Sequence, residues 1–281
     1  MRVRQIRNAT ALLTIASHNI LIDPMLCDAG SMPGFKMFGG GRRPNPLVEL
    51  PEQTEALLSQ VTDVLITHEH PDHLDEKAYA WIKERNLPVW ASAIDVASLR
   101  RKGLDAKNMQ SGVFGMQVEQ IEAKHGRGLL GWLMSPSSGF YLAHPEEPSV
   151  YITGDSILTE TILEAIDRLK PDLLIVPAGS ANMGIGGNIL FSVDELVTLV
   201  QHAPKDVLFN HLESLDHCPT TRAGLRERMQ REGLSERVWI PEDGEEISFT
   251  MEKTTPHIAP QTKAQTRPGF QKWFTSRFMA V

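Results

Sequence analysis

The stretch Asp63-Val-Leu-Ile-Thr-His68-Glu-His70-Pro-Asp72-His73-Leu-Asp75 carries the strongest signal in the chain. A short apolar run typical of a buried strand leads into three histidines and one aspartate within six residues. His68 and His70 are two positions apart, so in an extended segment both rings leave the same side and can hold one metal ion. The proline that follows favours the first turn of a helix, which directs Asp72 and His73 toward a neighbouring position. The spacing therefore predicts two adjacent metal positions.

The alternative for this stretch is four solvated polar residues on a loop. In a chain with this histidine and aspartate content, the run His-x-His-x-Asp-His is expected by chance in roughly 6 of 10,000 cases. The pattern resembles the signature of the metallo-β-lactamase superfamily, in which it follows the end of a strand. That resemblance implies three more ligands downstream, in the order histidine, acidic residue, histidine. His125, Asp155 and His211 follow in this order, each just past a predicted strand.

The resemblance also implies a role for each ligand. It assigns His68, His70 and His125 to a first metal, and Asp72, His73 and His211 to a second, with Asp155 bridging both. Imidazoles and carboxylates suit zinc, which we expect first, and also manganese or iron(II). The implied activity is that of a metal-dependent hydrolase, in which a metal-bound hydroxide attacks the substrate. Asp72 would be the catalytic residue that holds this hydroxide and accepts its proton.

The rest of the chain alternates strand-like runs with helical patterns. Residues 113–153 are typical of consecutive antiparallel strands, whereas the flanks alternate strand and helix. This mixture predicts an α+β fold, an αββα sandwich of two mixed sheets packed face to face with helices outside. Predicted strands are 11–15, 19–22, 63–66, 88–91, 117–123, 129–134, 139–143, 150–153, 172–176, 206–209 and 238–240. Predicted helices are 53–60, 75–85, 94–101, 157–169, 193–201 and 221–231, and Ser192-Val-Asp-Glu195 is a capping box for the fifth.

We expect residues 1–281 to form one domain, because a boundary would separate His73 from His211. Residues 27–51, called the lid loop below, are rich in glycine and proline and predict either a functional lid or a disordered insert. Residues 252–281 combine five basic residues with four aromatic ones. They predict a C-terminal docking helix or a contact in a homo-oligomer.

Composition excludes several classes of protein. Apolar residues make up 41% of the 281, and only Cys27 and Cys218 occur, which rules out a disordered or disulfide-stapled chain. The net charge of −7 argues against nucleic acid as a partner. No run approaches the roughly 18 apolar residues of a membrane helix, and polar residues interrupt the N-terminal apolar stretch, so we expect neither membrane association nor a signal peptide. A cytoplasmic location is the default.

Other residues are candidates for contacts around the metals. Asp23 would hydrogen-bond a ligand histidine, or merely form a turn before its proline. Arg42 and Arg43 on the lid loop, and Arg127, would bind an anionic group of the substrate, unless they are simply solvated. His217 would touch the substrate or cap the following segment. Within the superfamily, the segments Leu21-Ile-Asp-Pro24, Gly154-Asp-Ser156 and Asn210–Cys218 resemble the ascorbate-6-phosphate lactonase branch.

The predicted substrate is a small, anionic lactone, amide or phosphoester. Two alternatives stay open: a nuclease or phosphodiesterase of the same fold, and a non-catalytic metal-binding protein. The negative charge disfavours the nuclease. The complete set of seven ligands disfavours the non-catalytic protein. A redox protein of the flavodiiron kind is disfavoured because that group has an acidic residue where this chain has His70.

Overall fold

Two mixed β-sheets face each other, and helices cover both outer faces. The computed structural model describes residues 1–134 and 137–251, and within them one sheet has seven strands and the other six. Each sheet contains both parallel and antiparallel neighbours. The predicted α+β sandwich is thus confirmed.

The first sheet has the order β13-β1-β2-β3-β4-β5-β6. β1, β2 and β3 form an antiparallel meander, and β3 to β6 run parallel to one another. Its strands are β1 (Arg2–Arg7), β2 (Thr10–Ile15), β3 (His18–Ile22), β4 (Asp63–Ile66), β5 (Val89–Ala91), β6 (Ala106–Asn108) and β13 (Glu246–Ser248).

The second sheet has the order β12-β11-β10-β9-β8-β7. β9 to β12 are parallel, whereas β7, β8 and β9 form an antiparallel meander, so β7 runs in the same direction as β9. Its strands are β7 (Gln117–Ala123), β8 (Ser137–Ala143), β9 (Val150–Ile152), β10 (Leu173–Pro177), β11 (Asp206–Asn210) and β12 (Val238–Trp239).

The helices lie outside the sheets, and α2, α5, α6 and α7 begin at side-chain caps that the sequence supplies. Asp75 accepts a hydrogen bond from the backbone of the first turn of α2, and Thr159 does the same for α5. The predicted capping box of Ser192 and Glu195 is present at α6. The helices are α1 (Thr54–Leu58), α2 (Glu76–Arg85), α3 (Ala93–Arg101), α4 (Gly128–Met134), α5 (Glu160–Leu169), α6 (Val193–His202) and α7 (Arg222–Arg231).

Three apolar layers hold the sandwich together. The central layer joins the inner faces of both sheets, with Leu13 and Leu65 from the first sheet packed among Phe140 and Leu208 from the second. A second layer lies between α5, α6, α7 and the second sheet, and a third lies under α2 and α3. Burial of these aliphatic side chains is the main stabilising contribution.

One predicted strand is wrong. Residues 129–134 form most of α4, not a strand. A short apolar run is typical of a buried helix as well as of a buried strand. Neither the length of this run nor its content of β-branched residues distinguishes the two. The sequence patterns did not predict three strands of the first sheet. These are β1 near the N-terminus, and β6 and β13 at the two edges of the sheet. In β1 the buried side chains include Gln5 and Arg7, which hide the alternation expected of a strand.

The predicted docking segment 252–281 lies outside the described residues. Among the described residues, no helix is both long and apolar enough to span a membrane.

The capping box gives a direct test of the helix assignment. Replacing Ser192 with alanine should lower the free energy of unfolding by about 1 kcal/mol, because the backbone N–H of Glu195 loses its acceptor. Urea unfolding measures this difference. Thr161→Ala, at an exposed position in the first turn of α5, is the control and should change stability by less than about 0.5 kcal/mol. Equal losses in the two variants would contradict the cap.

Candidate metal centre

The seven predicted ligands all follow the carboxyl ends of strands. His68 comes two residues after β4, His125 two residues after β7, Asp155 three residues after β9, and His211 directly after β11. These strands run in the same direction within their sheets, so their carboxyl ends meet at one edge of the sandwich. The topology therefore brings together residues that are up to 143 positions apart in sequence.

Two groups of potential ligand atoms result. Within each group the candidate atoms lie within 4.8 Å of one another, and all seven residues are 5% exposed or less. Such a concentration of buried imidazole and carboxylate groups is a donor set that suits zinc, manganese or iron. The first group is His68, His70 and His125, and the second is Asp72, His73, Asp155 and His211.

The carboxylate of Asp155 lies where the two groups meet. Its Oδ2 is 3.3 Å from His125 Nε2 of the first group and 3.2 Å from His73 Nε2 of the second. The Nε2 atoms of His68 and His211 lie 3.9 and 3.8 Å from the same oxygen. One carboxylate oxygen thus lies within 3.9 Å of imidazole nitrogens from both groups.

Four of the imidazoles are held from behind through Nδ1, so that Nε2 faces the centre. His73 Nδ1 lies 2.9 Å from Asp23 Oδ2, and His125 Nδ1 lies 2.8 Å from the carbonyl oxygen of Ile189. His68 Nδ1 is 3.0 Å from Thr67 Oγ1, and His211 Nδ1 is 3.5 Å from Cys218 Sγ. Partners of this kind fix the orientation and tautomer of a metal-binding histidine.

Asp23 connects the two groups. The hydroxyl of Thr67 donates to Asp23 Oδ2 at 2.7 Å, and the backbone N–H of Thr67 donates to Oδ1 at 2.8 Å. Because Thr67 also contacts His68 and Asp23 contacts His73, one carboxylate orients an imidazole in each group. Asp23 has left-handed backbone (φ 45°), which an aspartate tolerates better than most residues.

The backbone has a left-handed conformation at Gly154, which precedes the ligand Asp155, and at the ligand His211. Gly154 has φ +63°, and a Cβ there would lie 2.6 Å from the carbonyl oxygen of Ser138, so only glycine permits the turn that presents Asp155. His211 itself has left-handed backbone (φ 58°), and its N–H donates to the carbonyl oxygen of Asn8. Strained backbone at such positions is typical of functional sites.

Burial and neighbouring charges set the protonation of the centre. Burial alone would raise the pKa of the Asp155 carboxyl, but the surrounding imidazoles, led by His73 and His211, together lower this pKa by more. Burial would likewise lower the pKa of His73 and of His211, and the surrounding carboxylates, led by Asp155, raise both by more. For His125 burial prevails, and its pKa is lowered. Protons therefore compete with metal ions for the second group, and metal binding should release them.

The remaining predicted site residues differ in where they lie. His217 is buried, its ring packs edge-on against Phe35 at 5.4 Å between centroids, and burial lowers its pKa to about 4. Arg127 is exposed and pairs with Glu195 at 2.9 Å. Arg42 lies on the lid loop, where its Nε donates to the carbonyl oxygen of Gly34. Arg43 is exposed on the same loop and donates its backbone N–H to Asp216.

A buried carboxylate organises the lid loop. Asp216 accepts hydrogen bonds from the backbone N–H groups of Phe35, Lys36 and Arg43, at 2.8 to 3.2 Å. The side-chain amide of Asn45 donates to the same carboxylate, and its oxygen accepts from the backbone N–H of Asp216. The lid loop is thus tied to the segment that carries His211, which is how an irregular loop of this length acquires a defined path.

The tip of the lid loop is apolar and meets a second loop, residues 182–188. Phe38 N–H donates to the carbonyl oxygen of Met183. Met37 is 56% exposed, Phe38 49% and Ile185 62%. The end of the second loop adjoins the centre, because the carbonyl oxygen of Ile189, the next residue, lies 2.8 Å from His125 Nδ1. An exposed apolar rim (Met37, Phe38 and Ile185) lies where the two loops meet.

Three residues contact the ligand residues, although no pattern in the sequence predicted these contacts. Asn8, in the turn between β1 and β2, donates its side-chain amide to the carbonyl oxygen of Asp72 and accepts from the backbone of His211. Thr67 was part of the motif but had no assigned role. Cys218 had no assigned role, and its contact with His211 is what distinguishes it.

Comparison with known proteins agrees with this geometry. A family model described as the beta-lactamase superfamily domain matches residues 18–211, and the chain belongs to the metallo-β-lactamase superfamily. An isothiocyanate hydrolase from Delia radicum gut bacteria is similar at 30% identity and a TM-score of 0.83, over 89% of this chain and 100% of that one.

Two curated relatives are also similar. The UPF0173 protein YddR of Bacillus subtilis is 29% identical over 256 residues, which cover 89% of this chain and all of the relative. A UPF0173 metal-dependent hydrolase of Cupriavidus necator is 24% identical, over 86% of this chain and 83% of its own length. The protein is therefore a metal-dependent hydrolase with residue groups that can bind metal ions. The resemblance to the lactonase branch stays a prediction.

The Asp216 contacts predict how the lid loop responds to substitution. Asp216→Asn replaces one acceptor with an amide that faces N–H donors, so the free energy of unfolding should fall by about 1–3 kcal/mol. Trypsin should also cleave the lid loop faster, at Lys36 or Arg42. Asp28→Asn is the control, because Asp28 lies on the same loop in an exposed ion pair with Lys77. Equal cleavage of Asp216→Asn and the unsubstituted protein would contradict the anchor.

Thiol chemistry offers a pH-dependent test. Burial, and then the nearby carboxylate of Asp75, raise the pKa of the Cys27 thiol to about 11. At pH 8 only about one thiol in a thousand is then ionised, so iodoacetamide should label Cys27 far more slowly than a free cysteine. The rate should rise about tenfold per pH unit up to pH 10. Fast labelling at pH 8, with the fold intact by circular dichroism, would show that Cys27 is accessible and ionised.

Proposed function

We propose that the two ligand groups bind two adjacent divalent metal ions, zinc first and manganese or iron as alternatives, and that the protein hydrolyses a small molecule there. The single observation that carries the proposal is the contact of Asp155 Oδ2 with imidazoles of both groups. A carboxylate in this position can be shared between two metal ions. The first metal would be held by His68, His70 and His125, the second by Asp72, His73 and His211, with Asp155 shared.

Bound divalent ions would supply a hydroxide nucleophile near neutral pH and would stabilise the negative charge that develops on the substrate. The chain's own residues do the rest. Asp72 Oδ2 lies 3.3 Å from His211 Nε2 and 3.7 Å from His73 Nε2, so its carboxylate faces the second group and would accept the proton of the attacking water. Asp23 keeps the imidazoles of both groups in place.

An anionic substrate is one candidate. Lys36, Arg42 and Arg43 lie in the same part of the lid loop, and Asp216 accepts from the backbone N–H groups of Lys36 and Arg43 and not from their cationic side chains. His217 would contact the substrate from beneath Phe35. Arg127 contributes less to this hypothesis, because it pairs with Glu195.

An isothiocyanate is a second candidate. Its support is the similarity to the isothiocyanate hydrolase together with the exposed apolar rim. An isothiocyanate is uncharged, its central carbon is electrophilic, and its substituent is apolar in the simplest cases, so the rim would bind that substituent. A panel containing an alkyl isothiocyanate, a phosphorylated lactone and an aryl phosphodiester would distinguish these candidates and the nuclease alternative.

Substitutions in each ligand group test the proposal. Asp155→Ala should abolish metal-dependent turnover of whichever probe the protein hydrolyses, because both groups lose their shared ligand. His70→Ala should lower kcat at least 100-fold, with loss of metal from the first group. Metal content is measured by elemental analysis beside the kinetics. Asp167→Ala on α5 and His202→Ala on α6, both at exposed positions, are the matched controls and should keep both activity and metal.

Two results would contradict the proposal. One is undiminished turnover by Asp155→Ala. The other is full metal occupancy in a protein that hydrolyses none of the three probes or their close analogues, which would favour the non-catalytic alternative.

A further inference from the structure

One ligand histidine is held differently from the others described above. The Nδ1 atoms of His68, His73 and His125 lie against oxygen atoms at 2.8 to 3.0 Å. His211 Nδ1 instead lies 3.5 Å from the sulfur of Cys218, which is hydrogen-bonding distance for a sulfur acceptor.

The fold around this contact is closely fitted. Cys218 is 8% exposed, and its backbone N–H donates to the carbonyl oxygen of Leu215. Gly179, just past the end of β10, packs directly on the pair. A Cβ at Gly179 would lie 2.5 Å from the carbonyl oxygen of His211 and 2.8 Å from Cys218 Sγ. Only a residue without a side chain leaves room for both.

The backbone of His211 is fixed independently of this sulfur. Its N–H donates to Asn8, and its left-handed conformation sets where the side chain leaves the chain. The backbone contacts do not fix the rotation of the His211 imidazole ring, so this rotation needs a contact of its own. His211 Nε2 lies 3.3 Å from Asp72 Oδ2, on the opposite side of the ring from Cys218. The sulfur therefore lies behind the imidazole and is not placed as a ligand itself.

We propose that Cys218 is a positioning residue, which accepts a hydrogen bond from Nδ1–H of His211 and so directs Nε2 of this histidine toward the second metal. This inference rests on the proposed function, because it assigns His211 to that metal. A histidine that binds a metal through Nε2 carries its proton on Nδ1, and the sulfur is the atom available to receive it. Cys218 thereby sets the metal affinity of the second group and leaves that of the first unchanged.

Two substitutions separate the hydrogen bond from simple packing. Cys218→Ser keeps a small acceptor behind the ring, whereas Cys218→Ala removes it. Cys27→Ala is the matched control, because Cys27 is 9% exposed and belongs to the same apolar cluster as Cys218. Zn²⁺, and separately Mn²⁺, are titrated by calorimetry into the metal-depleted full-length proteins. We expect one of the two equivalents to keep its affinity in Cys218→Ala, and the affinity for the equivalent that the second group binds to fall 10- to 100-fold. It should return to within about threefold of the original in Cys218→Ser, and Cys27→Ala should leave it unchanged.

A second measurement does not depend on metal. In nitrogen-15-labelled, metal-depleted protein, the Nδ1–H proton of His211 should be visible as a slowly exchanging resonance in the unsubstituted protein and in Cys218→Ser. It should broaden through exchange with water in Cys218→Ala. If the unsubstituted protein binds fewer than two metal ions but this proton behaves as expected, the proposed function fails, whereas the hydrogen bond by which Cys218 orients the His211 ring stands.

The inference is overturned by either of two results. Cys218→Ala with the original affinity for both equivalents would show that the sulfur does not act on the metal. If Cys218→Ser loses as much metal affinity as Cys218→Ala, the site needs the volume of sulfur and not a hydrogen-bond acceptor.

Discussion

The carboxylate of Asp155 imposes the constraint on which the rest of the structure depends. An ionised carboxylate at this depth costs several kcal/mol of desolvation unless charges and hydrogen-bond donors surround it. Here imidazoles of both ligand groups surround one of its oxygens at 3.2 to 3.9 Å. Because each of those imidazoles is fixed in turn by Asp23, Thr67, Ile189 or Cys218, the arrangement extends well beyond the ligands. Metal ions would neutralise the carboxylates more fully than protons do, so the buried polar cluster favours occupancy by cations.

The sandwich meets this constraint through strand direction. β4, β7, β9 and β11 all end at one edge, and each delivers a ligand within three residues of its end. The apolar layers on both sides of each sheet hold those ends rigidly. Under the proposed function, substrate selection would fall to segments that are not part of a sheet, namely the lid loop and residues 182–188. Asp216 ties the lid loop to the segment that carries His211 and His217, so the position of the lid and the geometry of the second ligand group are physically connected.

Sequence alone predicted the parts of this centre that depend on local pattern and order. The run from His68 to His73 follows a strand whose bounds were predicted correctly. His125, Asp155 and His211 were found because the resemblance implies a histidine, an acidic residue and a histidine in that order, and each follows a predicted strand. Contacts between irregular segments that are far apart in sequence could not be predicted. The role of Asp216 depends on the path of residues 33–45 around it, and that path has no periodicity. Asn8 and Cys218 act through turns whose neighbours in space are remote in sequence. Helix α4 was mistaken for a strand because seven residues, most of them apolar, do not distinguish the two periods.

The central claim is that two metal ions lie on either side of Asp155. Anomalous diffraction from crystals of the metal-loaded protein, recorded at the absorption edge of the bound metal, measures this directly. Two peaks are expected, about 3.5–4 Å apart, each beside one ligand group and both in contact with the carboxylate of Asp155. A single peak that involves only one group, or peaks remote from Asp155, would contradict it.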